Sequence, residues 1–156
     1  MNKFRIISAS LLLTSVASLS ACGYSSNNPT APVTQPSNVP SFITSGTWAV
    51  SSLTQGTEDK ASQLSGFNFT FTAAGSENGT VVATKGGTSV SGTWTHAPAV
   101  TYYGSSSQES IVLSLGTSSP FATLTKTWNV VSVTPTTLTL VNPEVAENMH
   151  LVFSKE

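Results

Sequence analysis

From Ser45 onward, apolar and polar residues alternate along the chain. Phe67, Phe69 and Phe71 share one side of a segment whose other side is Asn68, Thr70 and Thr72. Ile111, Leu113 and Leu115 repeat the pattern, as do Leu138 and Leu140, then Met149, Leu151 and Phe153. A period of two marks strands with one buried face. The pattern predicts eight of them, at 46–53, 67–72, 80–84, 88–94, 110–115, 126–133, 137–141 and 149–154. Turn chemistry separates them: Ala73-Ala74-Gly75 through Asn78-Gly79, Lys85-Gly86-Gly87, and Thr134-Pro135-Thr136. Pro98, Pro120, Pro135 and Pro143 all fall between strands, where a missing N–H breaks no ladder. A short helix is expected over Glu58–Leu64, and an additional strand fits 99–103.

Consecutive short, half-buried strands without crossover helices predict an all-β domain over 45–156. Its expected form is an antiparallel up-and-down eight-stranded β-barrel, with a β-sandwich as the alternative. In such a barrel alternate loops share an end. Loops 54–66, 85–87, 116–125 and 142–148 would rim an open mouth, with 54–66 as a lid, while the first strand leaves the closed end. The lumen of a barrel this size either holds one small ligand or is filled by side chains.

The amino terminus reads differently. Lys3 and Arg5 precede an apolar stretch from Ile6 to Leu19 that is too short for a comfortable membrane span, which needs about 20 residues. It has the form of a signal peptide over 1–21. Leu19-Ser20-Ala21-Cys22-Gly23 resembles the bacterial lipobox. That resemblance implies cleavage before Cys22, lipidation of its thiol and a membrane anchor of several acyl chains. Each buried CH₂ contributes ~0.8 kcal/mol, so two or more chains hold stably where one does not. Residues 23–44 carry Pro29, Pro32, Pro36 and Pro40 among Ser, Asn and Thr, with no hydrophobic period. Together with Cys22 they read as a disordered tether, 22–44, reaching about 60 Å. Gly23 and Tyr24, rather than Asp, follow the anchor. Under the enteric sorting rule this points to the outer membrane, on its periplasmic or outer face.

Charge narrows the partners. Only 8 % of residues are charged, against roughly 25 % in average globular chains. Beyond residue 21 the chain holds four lysines against seven acids and no Arg, so no basic groove awaits a nucleic acid. Cys22 is the single cysteine, which excludes a disulfide within the chain. His96, His150 and Asp59 are too few and too scattered for a Ser-His-Asp triad or a metal cluster. No enzyme, metal or cofactor is expected.

Gly46-Thr47-Trp48 at the first strand resembles the Gly-X-Trp signature of lipocalins and the wider calycin group. The Phe-X-Phe-Thr-Phe-Thr run, Gly92-Thr93-Trp94, Trp128-Asn129-Val130-Val131 and the closing Leu151-Val152-Phe153 resemble the layout of lipocalin-like domains in small bacterial lipoproteins. The resemblance implies that Gly46 and Trp48 are structural, with Trp48 at the closed end, and that Trp94, Trp128, Phe69 and Phe71 are candidate walls of a small-ligand site. Departures are plain. The family's Arg over the signature Trp is absent, with Lys155 the nearest substitute, and so is its Thr-Asp-Tyr motif. Two functions follow as expectations. One is a tethered barrel burying a small hydrophobic ligand in an aromatic lumen. The other is a packed barrel that meets an envelope protein or glycan through its surface.

Overall fold

The computed structural model describes residues 37–156, together with the backbone of Val33–Thr34. Cys22, the signal segment and most of the tether lie outside the described residues.

Eight strands form the body: β1 (Thr47–Gln55), β2 (Asn68–Ala73), β3 (Asn78–Lys85), β4 (Thr88–Ala97), β5 (Ser110–Ser114), β6 (Lys126–Val133), β7 (Thr137–Val141) and β8 (Met149–Lys155). Each pairs antiparallel with its neighbour in sequence. The sheet closes because β8 also pairs with β1, from Met149 opposite Gln55 to Lys155 opposite Trp48. This is a closed up-and-down barrel, not a sandwich.

Inward positions are mainly apolar and outward positions mainly Thr, Ser and Asn, as the alternation requires. Phe69 and Phe71 of β2 are buried between exposed Asn68, Thr70 and Thr72. This polarity is opposite to that of a membrane-spanning barrel, whose outer band is apolar. Among the described residues no helix is long and apolar enough to cross a membrane.

Two bulges re-phase the alternation. On β1, Ser52 faces Val152 and Val50 faces Phe153, so Ser51 is the extra residue, which lets both Trp48 and Leu53 point inward. On β6 the pairing steps from Val130 to Ser132, which turns Val131 out to 61 % exposure and brings Val133 against the core. At Gly79 two strands and a ring converge. An added Cβ would lie 1.9 Å from the Thr72 carbonyl oxygen and 2.7 Å from the Trp94 indole nitrogen.

Three expectations are corrected. Glu58–Leu64 is not a helix. Glu58–Asp59 folds back to pair with the end of β1, and a 3-10 turn follows over Ala61–Leu64, its start held by Asp59 Oδ1 accepting from Ala61 N at 2.8 Å. The additional strand near 99–103 exists as Val100–Tyr102, but it pairs outside the barrel, with Val33–Thr34 and with Ser105–Ser106. Finally, part of the segment read as tether is folded. Val39–Ile43 is a short helix, α1, whose Val39 and Ile43 are fully buried.

Candidate functional site

The rings expected to wall a ligand space do converge in the barrel. Phe69, Phe71, Trp94 and Trp128 are all at most 3 % exposed. They belong to one cluster of buried apolar side chains. Phe153 meets Phe69 and Phe71 edge to face, with ring centroids 5.4 and 6.0 Å apart. Each indole N–H finds a backbone carbonyl: Trp48 donates to Ile43 at 2.8 Å, Trp94 to Thr72 at 3.3 Å and Trp128 to Leu124 at 3.0 Å. No described buried side-chain nitrogen or oxygen lacks a partner.

Both ends are stopped. At the end where the chain enters, α1 lays Val39 and Ile43 against the core beside Trp48, which is 1 % exposed. Gly46 sits beside it with φ 143°, in space shared with the Lys155 side chain. Lys155 Nζ lies over the Trp48 ring, 6.0 Å from its centroid. At the mouth, Leu64 of one 3-10 turn, Phe121 of the second (Phe121–Thr123) and Leu124, which caps it, are buried. Phe67 and Phe121 meet edge to face at 5.0 Å across it.

Open concavities lie on the outside. One, of about 300 Å³, is on the mouth rim between β6 and the loop 142–148, lined by Lys126, Thr127, Asn142, Pro143, Glu144 and Glu147. Its side chains are cross-braced. Lys126 Nζ and Asn142 Nδ2 each donate to Glu147 Oε2 at 2.5 Å, and Asn142 Oδ1 accepts from Glu144 N at 2.8 Å. Val145, at the loop's crest, is 88 % exposed. Another cleft, of about 310 Å³, lies over the β6 bulge and is lined by Gln108, Asn129, Val130, Val131 and Val141.

One polar cluster escaped the sequence reading. His96, buried at the end of β4, has Glu77 on Nδ1 and Glu109 Oε1 2.8 Å from Nε2. The Ser37 hydroxyl donates to that same Glu109 oxygen. A triad needs the serine on the imidazole, and here Ser37 is on the carboxylate instead. The cluster instead ties the incoming chain, through Ser37, to the barrel floor. Its signal was the alternation itself. Trp94 and His96 share a face once β4 runs to Ala97 rather than stopping at Trp94. His150, by contrast, faces solvent as its place between Met149 and Leu151 requires. Among the described residues no group of three or more His, Cys, Asp or Glu is placed to hold a metal ion.

Compared with protein-family models, curated proteins and solved structures, the chain matches none of them. The functional reading therefore rests on the chain's own chemistry.

Proposed function

We propose that this chain is an exported bacterial lipoprotein, acylated at Cys22, whose packed barrel works without catalysis as an interaction module in the cell envelope. What supports the module reading is the ring content of the interior: three Trp and three Phe rings are buried there, and α1 and the two 3-10 turns place buried side chains at its ends. Recognition then falls to the surface. The mouth rim offers a braced polar cleft beside an exposed Val145, a suitable contact for an envelope protein or a glycan. The rim lies at the end of the barrel away from the entering chain.

A small hydrophobic ligand in the lumen is the competing reading. It requires Phe121 and Leu124 to swing out and the rings to part. Tryptophan emission separates the two. A panel of fatty acids, haem and apolar vitamins is expected to leave the emission of Trp94 and Trp128 unchanged. A saturable shift would overturn the packed-module reading in favour of the lumen. The module reading further expects soluble cell-wall fragments or envelope extracts to yield a partner whose binding falls at least several-fold in Thr127→Arg and Val145→Asp. The lipoprotein half is tested by mass spectrometry of the processed amino terminus, where an unmodified Cys22 thiol defeats it.

A further inference from the structure

Outside the barrel wall, at the end where the chain enters, stands the hairpin Val100–Tyr102/Ser105–Ser106. Its two-residue turn is Tyr103-Gly104, with φ of 48° and 78°. Such turns favour Asn-Gly or Gly-Gly, because both central residues are left-handed. A bulky aromatic there carries a steric cost. The ring is not repaid by burial: Tyr103 is 64 % and Tyr102 42 % exposed, and they meet each other edge to face at 4.3 Å. The turn would close more easily without Tyr103, so the ring's use lies outside the fold.

The chain's course names the surface it meets. Val33 and Thr34 pair with Thr101 and Val100, so the amino-terminal segment leaves the domain alongside this hairpin. Only the eleven residue steps from Cys22 to Val33 then separate the hairpin from the anchor, at most about 40 Å of chain. We propose that Tyr102 and Tyr103 form a foot that rests in the headgroup layer of the membrane holding the Cys22 acyl chains. This rests on the reading of Cys22 as a lipid anchor. Tyr suits the interface, having an apolar ring and a hydroxyl that stays wet. A pair of tyrosines binds lipid weakly alone, but a short tether turns that contact into an intramolecular one at high effective concentration. The ionisable neighbours at this end are Glu77 and Glu109, both engaged by His96, with Lys155 near Ser45 and Glu156 beyond it. With no surplus of cations there, the surface the foot fits is zwitterionic rather than strongly anionic.

The test uses the full lipidated protein in phosphatidylcholine–phosphatidylethanolamine vesicles. Ser105→Cys places a fluorophore beside the foot, and Val145→Cys places one at the opposite end. Each is the single free thiol when Cys22 is acylated. The label at 105 is expected to be quenched by brominated lipid and shielded several-fold from aqueous iodide relative to the label at 145. Adding Tyr102→Ser and Tyr103→Asn should remove that difference while tryptophan emission stays native, since Asn suits the turn. Equal quenching at both sites, in protein whose mass shows the acyl chains, overturns the foot and leaves the anchor standing. A mass showing a bare Cys22 overturns both.

Discussion

At Gly79 a side chain has nowhere to go. The Thr72 carbonyl and the Trp94 indole already occupy the place of a Cβ. Gly79→Ala must therefore push β2 from β3 or move the Trp94 indole. Overpacking of this kind costs about 1–3 kcal/mol, and urea denaturation should show it. His96 is tied on both ring nitrogens. His96→Ala strips Glu77 of its imidazole partner and leaves Glu109 with the Ser37 hydroxyl alone, and it is expected to cost about 2 kcal/mol. Faster limited proteolysis just before Val39 would confirm that the lost stability lies in the floor. Tyr103 offers a spectroscopic handle. Its hydrogen bond with the Tyr102 side chain, and to a lesser degree desolvation, raises its pKa above the ordinary 10.0. Tyr102→Phe should bring the Tyr103 midpoint down toward that value in an ultraviolet titration.

Among the elements, α1 does most for its length. Its N-cap residue Asn38 makes no side-chain cap hydrogen bond, yet Ile43 is fully buried and its carbonyl holds the Trp48 indole. Ile43→Ala should cost about 2–5 kcal/mol, as large-to-small changes in packed cores do. It should also shift Trp48 emission to the red as water reaches the barrel floor. The helix was hard to read in advance. Its apolar positions Val39, Phe42 and Ile43 have helical spacing, but five residues are too few to establish a period, and Pro36 and Pro40 suggested a tether. The eight strands were legible because alternation survives over each of them, even where Ser51 and Val131 shift its phase. The loop 54–66 was misread for the opposite reason. Glu58-Asp59 looks like a helix start, but the backbone is claimed by the unpaired edge of β1.

At the scale of the molecule, the aromatic residues that suggested a pocket are all buried inside the barrel. A sequence shows that Phe69, Phe71, Trp94 and Trp128 face inward; whether they surround space or fill it depends on how eight inner faces interlock. The packed, closed body should melt in one cooperative transition, with coincident near- and far-ultraviolet dichroism. Closure has a further consequence. The barrel's seam joins residues near 50 to residues near 150, and Glu156 N bonds Thr47 O at 2.9 Å. No intermediate length of chain can complete the sheet. A product ending before Met149 would present two raw margins, along β1 and β7, each ready to recruit strands from other molecules. Shortened chains should therefore precipitate or be degraded rather than persist as smaller barrels, and the sheet should close only once the last strand is present.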